Sequence, residues 1–211
     1  LAAASTVNIV ASTGFRMEQG LPGYFQSKDL DYLENLFVHE LTIGMSHTTI
    51  KAGIIFVGSG TDELSPVEED VFRAAARASV KTGVAIITHG ISNAEHYLEL
   101  FRGQNLDLAR VIVSGCDEIV DTDRDKRIVE AGACVSYSHI GVEDWSSMPF
   151  AMADSERLKP VQAMLDAGHQ DRLMLSSGSD SWCIGKTETS LNNVGHTQRY
   201  FVPMMQEAGI G

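Results

Sequence analysis

Short apolar runs recur along the chain at Asn8–Ser12, Ala52–Val57, Val84–His89, Val111–Ser114, Cys134–Ser138 and Arg172–Ser176. Most are followed by a glycine or small polar turn and then a helix-like stretch, the rhythm of strand–helix units. The second run, Ala52-Gly-Ile-Ile-Phe-Val57, is apolar at both sets of alternating positions, as a parallel strand covered by helices on its faces must be. Between the runs the period changes to that of a helix. Leu30, Leu33, Leu36 and Phe37 predict a helix over Asp29–Glu40. Ser65-Pro66-Val67-Glu68 predicts a helix start, with Ser65 as N-cap, Pro66 in the first turn and Glu68 closing a capping box. That helix runs through Ser79 and stops near Gly83. Further helices are predicted at Asn93–Arg102, Thr122–Ala131 with Gly132 closing it, Ser155–Ala167 and Thr197–Ala208. A long loop, Gly141–Ala153, carries Trp145 and Pro149, and a polar loop runs from the sixth strand to about Asn193.

Strand and helix alternate in one series without a low-complexity linker, which predicts a single α/β domain over residues 1–211. The fold class expected is a (β/α)8 barrel of TIM type with six of its eight strand–helix units in this chain. The first two units and the C-terminal helix are expected to be lacking. In such barrels the C-terminal strand ends carry the chemistry. Here they read Thr13-Gly14, Phe56-Val57-Gly58, His89-Gly90, Gly115-Cys116, Ser138-His139 and Ser177-Gly178. Most are small or uncharged.

Charge narrows the partners. The chain has 28 acidic and 16 basic residues and a formal net charge of −12, which argues against a nucleic-acid surface and suits a solvated acidic exterior. No apolar run reaches membrane-spanning length. Leu1-Ala-Ala-Ala-Ser5 lacks the basic and apolar regions of a signal peptide. Cys116, Cys134 and Cys183 are odd in number and without CxxC spacing, which fits sheltered thiols in a reducing compartment. The expectation is a cytoplasmic protein acting on a small molecule, with homo-oligomerisation left open by the sheet edges an incomplete barrel exposes.

His89, at a strand end, is the candidate catalytic group: an imidazole there can act as general base or be held by backbone and water. Cys116 has the residue types for a nucleophile beside it, with His89 or His139 as base and Asp117 as orienting acid. Adjacent strand residues face opposite ways, which weakens a Ser138/His139 pair. Asp117-Glu118 and Glu143-Asp144 read as solvated loop acids, and Ser176-Ser-Gly-Ser179 lacks a phosphate-loop pattern. Trp145 and Met148 form either a lid or a surface cluster.

Several segments resemble the phosphotriesterase family of the amidohydrolase superfamily, in order and over nearly the whole chain. They are Ile9-Val-Ala-Ser-Thr-Gly-Phe15, Ile50-Lys-Ala-Gly-Ile-Ile55, Ala74-Ala-Ala-Arg-Ala78, Ile87-Thr-His89, Val113-Ser-Gly-Cys-Asp117, His139-Ile-Gly141 and Leu173-Met-Leu-Ser176. The resemblance implies a barrel hydrolase of phosphotriesters, lactones or related esters that uses two divalent metals such as zinc, bridged by a carboxylated lysine. Carried over residue by residue, the pattern changes. The first-strand His-x-His pair has no counterpart, Phe56 stands at the bridging lysine, and Gly115 stands at the histidine before Cys-Asp. Gly178 stands at the last-strand aspartate, with Asp180 two residues on, and His89 alone is kept. Phenylalanine and glycine donate nothing to a metal, so no metal ligand and no cofactor is predicted. Phe56, Gly115, Gly178, His139 and Trp145 are the expected substrate-binding residues. Phe56 is either core packing or an aromatic wall, and the glycines are either turn residues or widen the pocket. Two functions follow: a phosphotriesterase-type ester hydrolase, or a metal-free barrel, degenerate or engineered, that binds or converts another small molecule.

Overall fold

The computed structural model describes residues 8–16, 21–60, 63–143, 151–177 and 194–210. Trp145, Met148, Gly178, Asp180 and Cys183 lie outside them. The chain divides into two compact units, residues 1–112 and 113–211.

The first unit holds β1 (Ser12–Thr13), α1 (Gly23–Gln26), α2 (Leu30–Thr42), β2 (Ile54–Gly58), α3 (Pro66–Thr82), β3 (Ile86–His89), α4 (Ala94–Gly103) and the first half of β4 (Val111–Ser114). α3 starts as its sequence predicts. Ser65 Oγ accepts from the Glu68 N–H at 3.1 Å, Glu68 Oε2 accepts from the Ser65 N–H at 3.1 Å, and Pro66 occupies the first turn. It ends at Gly83, whose φ of +79° is the left-handed cap that glycine adopts without strain. Ala74, Ala75 and Ala78 are fully buried; their small side chains let α3 lie close to β2 and β3. Phe72 stacks on Tyr97 and Phe101 of α4, with centroids 5.2 and 5.6 Å away. Burying one such ring contributes about 1.5–3 kcal/mol.

The second unit continues through α5 (Thr122–Glu130), β5 (Cys134–Tyr137), α6 (Asp154–Asp166), β6 (Leu173–Leu175), a π-helical turn (Thr197–Phe201) and α7 (Val202–Glu207). Its core is built from Ile128, Val135, Tyr137, Ile140, Val161, Met164 and Phe201. The predicted last helix is therefore two pieces. Pro203 has no N–H to return to the preceding turn, and the backbone before it is wound wider than an α-helix.

Within the first unit the β1–β2 and β2–β3 pairs are parallel, and within the second the β5–β6 pair is parallel. The first strand is displaced from its expected place. Asn8–Ala11 precede it, although Ala11 O still accepts from Gly53 at 2.9 Å. Ile9 and Val10 are 51% and 63% exposed to solvent among the described residues. Among the described residues β1 pairs with β2 over two positions, Ser12↔Ile54 and Thr13↔Ile55. No described helix is long and apolar enough to cross a membrane.

Candidate functional site

The register Phe56↔Ile87 and Gly58↔His89 puts these four residues on one face of β2 and β3. That face is half-buried at Phe56, Ile87 and His89, while Ile55, Val57, Ile86 and Thr88 on the opposite face are fully buried beneath the helices. Phe56 and His89 thus share a surface one two-residue step apart. Across β1, the loop after Thr13 brings Arg16 to this surface. Arg16 Nη2 lies 3.2 Å from His89 Nε2.

In the second unit, Gly115 has a φ of +81°, and a Cβ there would sit 2.9 Å from Glu118 Oε1. The glycine serves a left-handed turn, and the Glu118 carboxylate fills the space beside it. Cys116 is fully buried, its Sγ 3.3 Å from the Val113 carbonyl. Burial, reinforced by Asp125, pushes its thiol far above the ordinary cysteine range. A protonated, enclosed thiol is no nucleophile.

Asp117 corrects the expectation of a solvated loop acid. It is fully buried. Its Oδ1 accepts from the Ser138 N–H at 2.8 Å, its Oδ2 from the His139 N–H at 2.8 Å, and His139 Nδ1 lies 3.2 Å from Oδ1. Burial alone would raise its carboxyl; the His139 ring and the two backbone donors outweigh that and hold it below the ordinary value. His139 Nε2 lies 3.5 Å from Glu118 Oε1, so the ring spans two carboxylates. Three hydroxyls gather alongside, with Ser114 Oγ and Ser136 Oγ at 2.8 and 3.2 Å from Ser138 Oγ.

Behind this group sits a side chain that sequence reasoning missed. Arg157 of α6 is fully buried; its Nε donates to Asp117 Oδ2 at 3.2 Å and its Nη1 to Asp154 Oδ1 at 3.3 Å. It also donates to the Val142 and Met152 carbonyls. Asp154 Oδ2 lies 2.7 Å from His196 Nε2, and its Oδ1 accepts from the Gly141 N–H at 2.9 Å. The signal was present: Arg157 shares an apolar stripe with Pro160, Val161 and Met164 at helical spacing, and a charge on such a stripe needs buried partners. Arg16 carried no comparable mark.

The metal pair implied by the family resemblance needs donors at Phe56 and Gly115, which offer none. His89 offers one, with Arg16 Nη2 3.2 Å from its Nε2. Among the described residues no three His, Cys, Asp or Glu side chains are placed to hold an ion. The described residues do not fit the group; Gly178 and Asp180 lie outside them.

Relatives define the lineage. The chain is 31% identical over 186 residues to a phosphotriesterase homology protein of Mycobacterium tuberculosis, covering 83% of this chain and 55% of that protein. It is 30% identical over 210 residues to the phosphotriesterase homology protein of Escherichia coli, covering 96% of this chain and 68% of that one. A mutant of a phosphotriesterase-like lactonase from Deinococcus radiodurans superposes with a TM-score of 0.87 at 28% identity, over all of this chain and 70% of that chain. The fold is accordingly α/β of the phosphotriesterase barrel type. The phosphotriesterase family model matches residues 1–211 in full, and the chain belongs to the phosphotriesterase family.

Proposed function

We propose that the chain is a hydrolase of ester or lactone bonds in which His89, rather than a metal pair, handles the proton at the strand ends. One observation carries this reading: His89 stands at the C-terminal end of β3 with its ring nitrogen against a cationic guanidinium. Arg16 can only donate, so the 3.2 Å contact uses the Nε2 lone pair of His89. That lone pair takes a proton from an attacking water once bound substrate draws the guanidinium aside, and positioned general-base catalysis contributes about 10²–10⁴-fold. Phe56 and Ile87 on the same face supply apolar contact for the substrate's alkyl or aryl part. Family membership supports hydrolysis as the reaction class.

Family membership equally favours a second reading, metal-dependent hydrolysis of phosphotriesters or lactones. Metal analysis of the purified protein, combined with turnover of a chromogenic ester and a chromogenic lactone with and without zinc, separates the two. The expected result is turnover unchanged by zinc or chelator and reduced at least 100-fold in His89→Ala. Two bound metals per chain with zinc-dependent turnover overturns the metal-free mechanism and installs the second reading.

A further inference from the structure

We propose that His196 is a positioning residue: bonded to Asp154 and seated on Gly141, it locks the loop leaving β5, residues 138–142, to the C-terminal segment, so that the two open and close together. The parts of this lock lie within the second unit. Its centre is enclosed, with Asp154 and His196 1% and 4% exposed and Arg157 fully buried. It holds whatever chemistry His89 performs.

Asp154 is the centre. It stands in the first turn of α6, yet the N-cap is Ala153 and no side chain caps that helix. The Asp154 carboxylate gathers donors from separate parts of the chain instead. Oδ1 accepts from the Gly141 N–H at 2.9 Å and from Arg157 Nη1 at 3.3 Å, and Oδ2 lies 2.7 Å from His196 Nε2. A carboxylate only accepts, so His196 Nε2 carries the hydrogen of that bond. The seat is shaped for the ring. Gly141 has a φ of +90°, and a Cβ there would lie 2.7 Å from Cγ and Cδ2 of His196. A residue with a side chain would be strained in its backbone and would strike the imidazole.

The C-terminal side is anchored a second time. The π-helical turn begins directly after His196, and its Thr197 N–H donates at 3.0 Å to Oγ of Ser177, just past the end of β6. Thr197 Oγ1 lies 2.8 Å from the same Ser177 oxygen. Phe201, at the far end of the turn, is fully buried.

From Asp154 the lock reaches the end of β5 by two routes. One is the backbone at Gly141. The other runs through Arg157, whose Nε donates to Asp117 Oδ2 at 3.2 Å; Asp117 in turn accepts from the Ser138 and His139 N–H groups at 2.8 Å each. Buried charges tolerate no half-made set. If Asp154 swings away with His196, the fully buried Arg157 loses a charge partner away from bulk solvent. Polar groups joined in this way support one another and are lost together. Undocking the C-terminal segment is therefore the motion that loosens the loop carrying His139.

Amide hydrogen exchange, followed by NMR on the full chain, tests the lock. In wild type the Ser138, His139, Gly141 and Thr197 amides are expected to exchange through one opening, with the same dependence on added urea. His196→Phe keeps a ring on Gly141 and removes the N–H. It should speed exchange at Ser138 and His139 about tenfold, the factor a lost buried hydrogen bond gives, and leave Ile128 and Val129 of α5 within about twofold of wild type. His196→Gln returns a donor near the position of Nε2 and should restore protection to within about threefold. Acceleration confined to Gly141 and residues 194–201 overturns the lock, as does acceleration that His196→Gln leaves in place. Equal acceleration at every amide, the mark of a uniform loss of stability, overturns it too. Should His196→Phe not fold, wild type decides: a Thr197 amide whose urea dependence differs from that of Ser138 and His139 overturns the lock.

Discussion

Cys116 and Asp117 are neighbours in sequence with opposite electrostatic fates. The thiol of Cys116 is enclosed and held protonated, chiefly by burial, whereas Asp117 keeps its charge because four donor atoms converge on it. The same buried environment therefore silences one group and preserves the other, and the difference is hydrogen bonding. Cys116 should consequently resist alkylation. Treating the folded protein with iodoacetamide at pH 8 and mapping adducts by mass spectrometry should label Cys116 no faster than the chain unfolds. Rapid labelling of Cys116 in native protein contradicts its enclosure and reopens it as a nucleophile.

At the level of elements, α3 is the clearest case of sequence specifying local structure. Glu68 takes the Ser65 N–H on one oxygen and the Gly60 N–H, at 3.2 Å, on the other. It thus ties the helix start to the loop leaving β2, where the strand-end surface begins. Ser65→Ala should cost about 1 kcal/mol, the usual worth of an N-cap. Glu68→Ala should cost more, about 2 kcal/mol, because it strips two backbone donors at a buried position. Urea unfolding of both variants checks the order, and a Ser65 loss exceeding the Glu68 loss would refute the coupling to Gly60. Elements such as α3, β2 and β4 were legible because period, caps and glycine stops are local signals. The π-helical turn before Pro203, the short β1 and the burial of Asp117 were not. The last two depend on which partners lie across the fold, and no spacing along the chain encodes them. At the site, His89 and Phe56 were readable as positions within the family pattern. The approach of Arg16 to His89 was not, because it arises from Gly14 and Gly58 bringing distant backbones together.

For the whole molecule, pH dependence separates two buried carboxylates that act in opposite directions. Asp117 is held below the ordinary 3.8 despite its burial. Its stabilising contribution is complete above that value and is lost as pH falls through its lower folded value. Asp125 is raised above 3.8, first by burial, against the pull of Arg124 and the Tyr137 hydroxyl. Its ionisation therefore costs stability at neutral pH, and that cost is relieved as pH falls through its raised folded value. Lowering the pH also discharges the many surface acids that give the chain its net −12. That effect is common to wild type and to single Asp→Asn variants, so it cancels in differences between them. At pH 7, Asp117→Asn should cost about 3 kcal/mol, since it leaves the fully buried Arg157 short of a charge partner. Asp125→Asn should cost about 1 kcal/mol or less, because an amide oxygen still accepts from Tyr137. As pH falls from 7 toward 4, the gap between wild type and Asp125→Asn should widen. The gap to Asp117→Asn should hold steady and shrink only below about 3.8, for as long as the native state persists. Urea midpoints measured across that range decide the matter: gaps that move in the same direction would show that one of these two carboxylates has the opposite ionisation balance from that set by its partners.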